Sequence, residues 1–386
     1  MAARDIPDGE YRQRHANLSA AVAARGLDGL LAFSGYMERE GHVLYLTGHR
    51  IVFPPWASDD RRNGAGFSSC LVVPGQGIHL LAAFQTDRST VADTVVAIVE
   101  TMDLNTALIA ALRGTYGPSG PRRLGIAGSD VLNVKAYRAL HDAFPGTEWV
   151  MADDLLVSLR MVKSDYEQQC LRAAARAADA GIRAAWDAGV AGVAEKTVAR
   201  AVAAACQDAG ADHVARIRLR TGADVLVSGR WPLATDRTIA PGDLVYMDLL
   251  GWVGHYAFDV ARTWSAGPTD DVRQNLLTQS ANLLERTIHA IRPGATGDEV
   301  ARSVGATYQG TPWFERYEPM GHGIGIECVE NPWIMPGSPI PLAAGMVLSL
   351  EPEFVIPGEA KGQQEDMVLV TPTGVERLTE SPWLPT

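Results

Sequence analysis

Four cysteines in 386 residues (Cys70, Cys170, Cys206 and Cys328) are too few and too scattered for a disulfide framework or a thiolate zinc site. They read as free buried thiols of a reducing compartment. A basic surplus is missing as well. The chain carries 45 acidic against 34 basic side chains, a net charge of −11. Nothing offsets repulsion by a phosphate backbone, so a nucleic-acid binder is excluded. No apolar run approaches membrane-spanning length, and the opening MAARDIPDGEYRQR lacks the apolar core of a secretory leader. A cytoplasmic protein without a membrane partner is expected. Internal repeats and low-complexity segments are absent too. What is there is globular material, 47% apolar and 20% charged, in a chain long enough for two domains.

The first part alternates helical and strand patterns. Tyr11–Arg25 predicts an amphipathic helix, and Asp28–Phe33, Val43–Thr47, Ser69–Val73 and Ile78–Ala82 predict strands. A helix is expected over Ser89–Arg113, a strand over Leu124–Ala127 and a helix over Val134–Ala143, together an α/β layer. The boundary is placed near Met161, giving domains 1–160 and 161–386. Ser164 with Glu167 forms a capping box before an Ala-rich helix, and Thr296 with Glu299 forms another. Helices over Glu195–Asp208 and Asp270–Ile291 interleave with strands Asp243–Leu250, Tyr256–Trp264, Met346–Val355 and Asp366–Val370. Helices mixed with antiparallel strands predict an α+β second domain.

Five candidate metal ligands fall in these strands and turns. Asp248 ends LVYMD, and Asp259 follows eleven positions later across a Gly-bounded turn, Gly251–Gly254. Such a hairpin can set two carboxylates on one face of neighbouring strands. Buried alone they would repel, and one would stay protonated; a divalent cation removes the conflict. His322 stands between glycines in GHGIG, Glu351 interrupts the apolar MVLSLEPEF, and Glu365 opens EDMVLV. Carboxylates in apolar strands must be exposed, paired or metal-bound. Four oxygen donors and one imidazole suit two divalent cations, Mn, Fe, Co or Zn, in a dinuclear site.

The words GDLVYMD, YAFDVARTW, GHGIGIE, GMVLSLEPE and QEDMVLVT, in this order, resemble the creatinase/prolidase/aminopeptidase P ("pita-bread") metallohydrolases over the whole second domain. LDGLLAF and VLYLTG resemble that family's smaller α/β creatinase-like N-terminal domain more loosely, and MVKSDYE resembles the usual start of its catalytic domain. Any one of the five ligands by itself would pass for a solvated turn or strand-end charge; five in order are specific. The resemblance implies a pita-bread catalytic domain and a homodimer. It also implies that Asp248 chelates one cation and His322 the other, that Asp259 and Glu365 bridge, and that Glu351 binds metal and acts as general base. The basic loop Arg61-Arg62 and Trp56 can then reach substrate across a dimer.

The chain departs from the family's peptidases in two places. A histidine usual seven positions after the ligand histidine is replaced in Val329-Glu330, and one usual some seventeen positions before the first Asp is missing near Trp231. Losing such a donor weakens oxyanion stabilisation by about 3 kcal/mol. His255, between the two aspartates, is a candidate catalytic substitute, while Trp231, Val329 and Glu330 are candidate substrate-binding residues. Trp333 is a further wall candidate, Cys328 reads as a small buried residue, and Arg262 as an anchor for the strand of Asp259. The leading expectation is therefore metal-dependent hydrolysis of a C–N, amide-type bond in a small non-peptide molecule or modified amino acid. The alternative is an Xaa-Pro aminopeptidase or dipeptidase acting on a short peptide. A lyase related to DMSP lyases and a binding protein derived from an enzyme complete the set.

Overall fold

The computed structural model describes residues 6–36, 38–51, 67–84 and 86–385. Trp56, Arg61 and Arg62 lie outside the described residues. Contacts divide the chain into two units, which meet between Arg160 and Met161.

The first unit runs α1 (Asp8–Ala24), β1 (Gly29–Ser34), α2 (Gly41–Thr47), β2 (Ser68–Val72), β3 (Ile78–Ala82), β4 (Val95–Glu100), α3 (Leu104–Tyr116), β5 (Arg123–Ala127), α4 (Val134–Ala143), β6 (Glu148–Met151) and α5 (Asp153–Met161). Its sheet has the order β4-β3-β2-β1-β5-β6, with β1, β2 and β3 antiparallel and the outer neighbours parallel. Leu31, Leu71, Leu81 and Ile126 from the sheet meet Leu104, Leu108 and Leu112 of α3 and Leu140 of α4 in one core. Two expectations fail here. Val43–Thr47 is helical, closed by Gly48 at φ 75°, and every residue of α2 is buried. A short helix apolar on all sides has no periodicity to tell it from a strand. Ser89–Arg113 is not one helix: β4 precedes α3, which starts only where Asp103 accepts a cap hydrogen bond from the Thr106 amide. The β-branched run before it pairs with β3 instead.

The second unit contains α6 (Asp165–Ala188), α7 (Glu195–Asp208), β7 (His213–Thr221), β8 (Leu244–Val253), β9 (Tyr256–Ser265), α8 (Asp271–Ala290) and α9 (Gly297–Ala306). It continues with β10 (Tyr317–Glu318), β11 (Gly321–Gly323), β12 (Glu330–Trp333), β13 (Val347–Leu350), β14 (Glu353–Ile356), β15 (Ala360–Gln363), β16 (Asp366–Thr371) and β17 (Gly374–Arg377). Its sheets have the orders β7-β8-β9, β12-β11-β13-β16-β17 and β10-β14-β15, all antiparallel. Both capping boxes form: Ser164 with Glu167 opens α6, and Thr296 with Glu299 opens α9.

Helix α6 covers one face of the β7-β8-β9 sheet. A methyl group on Gly181 would strike Leu249 and Cys206, so Leu249 points at the helices. By two-residue alternation Asp248 points to the opposite face, away from them. Asp248 does not end its strand as expected, because β8 runs on through Leu249–Val253, buried on both faces. The turn is correspondingly tight, Gly254-His255 between Val253 and Tyr256. The expected strand Met346–Val355 is broken at Glu351-Pro352, and its halves β13 and β14 belong to different sheets.

Candidate metal centre

Asp248 lies directly across from Ala261 and Asp259 directly across from Leu250, so the two aspartates are diagonal neighbours on one face of β8 and β9. Opposite this face, β11 carries His322 and pairs with β13 through His322 and Ser349. The glycines on either side permit that packing. A Cβ on Gly323 would collide with the Asn331 carbonyl, and one on Gly321 would sit 3.0 Å from the Ser349 carbonyl. The Glu365 amide donates to the Ala261 carbonyl at 2.9 Å, tying the residue before β16 to β9. Three separate stretches thereby converge. Ligand atoms of Asp259, His322 and Glu365 all lie within 4.8 Å of one another.

Glu351 and Asp248 complete the ring. His322 Nε2 lies 3.5 Å from Glu351 Oε1 and 3.8 Å from Asp259 Oδ2. Its Nδ1 is 3.0 Å from the Gly323 carbonyl, which only accepts, so Nδ1 carries the proton and Nε2 offers its lone pair to the carboxylates. Burial lowers the His322 pKa and keeps the ring neutral, the form a metal ligand needs. Ser349 Oγ donates to Glu365 Oε1 at 2.7 Å, Gln363 Nε2 to Glu351 Oε2 at 3.1 Å, and Cys328 Sγ to Asp259 Oδ2 at 2.8 Å. Asp248 Oδ2 is 2.7 Å from Arg218 Nη1.

The electrostatics are those of a site built for cations. Desolvation, then Asp248 and Glu351, push Asp259 well above the usual carboxylate range. Desolvation, then Asp259, does the same to Glu365. Desolvation with Asp248 and Glu353 raises Glu351 to about 7, against the lowering effect of Lys361 and Gln363. Carboxylates that force protons onto one another ionise readily around a divalent ion. The donor set, oxygen with one imidazole, therefore fits such ions.

Arg262 supports this arrangement from the other face of β9. Its Nη2 meets Asp366 Oδ1 at 2.7 Å with both side chains wholly buried, and its Nη1 reaches the Glu365 carbonyl. It is an anchor, as expected.

The remaining candidates hold other positions. His255 occupies the hairpin turn, four residues from Asp259 or roughly 13 Å of extended chain. Trp231 is 83% exposed, and Val329 is 46% exposed just beyond Cys328. Glu330 serves the loop: its carboxylate meets Lys163 Nζ at 3.2 Å and accepts from the Glu327 amide at 3.1 Å. The Trp333 ring stands edge-on to His322 at 5.9 Å. Sequence reasoning missed Arg218, Ser349 and Gln363. The alternation Arg-Ile-Arg-Leu-Arg-Thr over 216–221 was the available sign of β7 and its arginines.

Residues 169–372 match metallopeptidase family M24, and residues 14–162 match the creatinase/prolidase N-terminal domain. The chain belongs to metallopeptidase family M24. It is a metal-dependent hydrolase acting on C–N bonds, and the family implies divalent metal ions. "Probable dipeptidase PepE" of Mycobacterium tuberculosis is 31% identical over 99% of this chain and 98% of its own length. The Xaa-Pro dipeptidase of Pyrococcus furiosus is 30% identical over 61% of this chain and 67% of its own. Among solved structures, the prolidase of Pyrococcus horikoshii superimposes with a TM-score of 0.80 at 22% identity, covering 96% of this chain and 98% of that one. Dipeptidase PepE of Mycobacterium ulcerans does so with 0.80 at 25% identity, covering 98% of each chain. The fold is the family's pita-bread catalytic domain with a creatinase-like N-terminal domain. No helix among the described residues is long and apolar enough to cross a membrane.

Proposed function

We propose that this chain is a dinuclear-metal dipeptidase that hydrolyses the peptide bond of short peptides, with Xaa-Pro dipeptides the first substrates to test. The observation that carries this is the convergence of Asp259, His322 and Glu365 within 4.8 Å, ringed by Asp248 and Glu351, in a chain whose full-length relative is named a probable dipeptidase. Asp259 and Glu365 would hold both ions, Asp248 would complete one side, and His322 with Glu351 the other. When bound, divalent cations supply Lewis-acid polarisation of the scissile carbonyl and acidify the attacking water.

The side chains do the rest. Glu351, beside His322 in the ring of ligands, is positioned to take a proton from water and hand it to the leaving amine. Gln363 holds one oxygen of that carboxylate, which fixes its direction. Ser349 fixes Glu365, and the Gly323 carbonyl fixes the His322 ring.

The missing histidines at Val329 and near Trp231 pointed to a small non-peptide amide; the similarity to dipeptidases favours the peptide reading. They take donors from the substrate side and leave the ligand set whole. Hydrolysis of Ala-Pro by protein loaded with Mn or Co, with one oxygen of labelled water in the new carboxylate, is expected. Product formed without that oxygen would mark a lyase. Failure to retain metal would mark a binding protein.

A further inference from the structure

Strand β15 brings two side chains to the neighbourhood of Glu351, neither of them a candidate ligand. A Cβ on Gly362 would lie 3.1 Å from Leu276 and Ser280, so that face of β15 is pressed against α8. Lys361 and Gln363, one residue to either side, point to the opposite face by strand alternation. Both are buried, and their polar atoms join into a chain. Lys361 Nζ meets Glu353 Oε2 at 2.7 Å and Gln363 Oε1 at 3.2 Å, and it lies 4.2 Å from the centre of the Tyr246 ring. Gln363 Nε2 donates onward to the Glu351 carbonyl at 3.2 Å and to Glu351 Oε2 at 3.1 Å. The Gln363 backbone is fixed separately, by reciprocal hydrogen bonds with the Thr263 hydroxyl of β9 at 3.0 and 3.1 Å.

A side-chain amide can turn over about its last bond with almost no change of shape, exchanging its donor for its acceptor. Turned over, Gln363 would present oxygen to the carbonyl and carboxylate of Glu351, both of them acceptors, and would repel them. An ammonium group only donates, so Lys361 admits the amide's oxygen and rejects its nitrogen. The polarity that suits Glu351 is thus imposed from the far end of the amide. Lys361 is itself held there, by the Glu353 carboxylate and the face of the Tyr246 ring. The consequence reaches the candidate base. With Oε2 bound to the amide, Oε1 is the Glu351 oxygen left facing His322 Nε2, at 3.5 Å.

We propose that Lys361 is a positioning residue for Glu351 that acts through Gln363: its ammonium fixes which end of the amide meets the carboxylate, and so which carboxylate oxygen is left to the reaction. The inference rests on the reading of Glu351 as the base, given above. Its test is a double-mutant cycle of Lys361→Met and Gln363→Leu in the full-length protein. One readout is kcat and KM of the Mn-loaded protein on Ala-Pro. The other is the visible absorption of the Co-loaded protein, which reports the ligand arrangement without turnover. Lys361→Met should lower kcat by roughly ten- to hundredfold, leave KM within about threefold, and shift the Co band. Gln363→Leu should do the same, and the double variant no more than either alone. Lys361→Arg, also a pure donor, should recover most of the loss. Losses that multiply in the double variant would show Lys361 acting on Glu351 without the amide and overturn the proposal. A Lys361→Met protein with wild-type kcat and Co spectrum would overturn it too. If circular dichroism shows that variant unfolded, Lys361→Gln decides in its place: one atom shorter, and both donor and acceptor, it cannot impose the polarity, so the same loss is expected and the same additivity would refute it. Cleavage of no dipeptide by the wild type would remove the peptidase reading, and the Co spectra of the cycle would then decide this one alone.

Discussion

Four carboxylates facing one another in a buried pocket repel unless something positive sits among them, and each of them can be tested by itself. Asp259→Ala removes one of the three donors that converge within 4.8 Å, and bound metal measured by atomic absorption should fall with activity. Glu351→Gln keeps the shape of the side chain and removes the base. Its kcat should drop by roughly 10²–10⁴ while protein stability holds. Arg262 is a different case, since it touches no candidate ligand side chain. Arg262→Ala leaves Asp366 with Arg377 and Trp383 but without its buried partner, and frees the Glu365 and Pro382 carbonyls. Urea unfolding should show a loss of about 3–5 kcal/mol.

At the level of elements, the capping boxes of α6 and α9 were legible because their partners are three residues apart and need nothing from the rest of the chain. Ser164→Ala should cost about 1 kcal/mol in thermal or urea unfolding, with metal content unchanged. The β8–β9 hairpin was legible for the same reason, its two halves being joined by one tight turn. The misreadings share an opposite cause. Helix α2 is buried all round, so nothing in its pattern marks a face. The break at Glu351-Pro352 hands consecutive residues to two sheets, and its one local sign was Pro352, which has no N–H to give a strand ladder. Strand β11 is three residues long and exists by packing. Gly323→Ala should disrupt it, with loss of metal as the readout, because the added methyl meets the Asn331 carbonyl.

For the molecule as a whole, the raised carboxylates make metal-free protein less stable as pH rises from acid toward neutral. Glu351 ionises near its ordinary 4.5 in the unfolded chain and at about 7 in the metal-free fold. Across that interval the folded state holds more protons than the unfolded one, so stability falls as pH rises. Protein stripped with a chelator should therefore show a Tm that declines between those two values. Restoring Mn at about 100 times its Kd should add about 2.7 kcal/mol, and the Tm gap between loaded and stripped protein should widen toward neutral pH.

The sequence by itself determined the ligand types, their order and the two local devices, hairpin and capping box, that need only near neighbours. It also carried the five words that placed the second domain among its relatives. Tertiary structure alone decided that Glu351, just after β13, and Glu365, just before β16, close on Asp259 and His322. It likewise decided that Arg218 stands across from Asp248. The physical reason is range: hydrogen bonds within a turn are written in adjacent residues, whereas the meeting of β9, β11, β13 and β16 depends on burial summed over the whole unit.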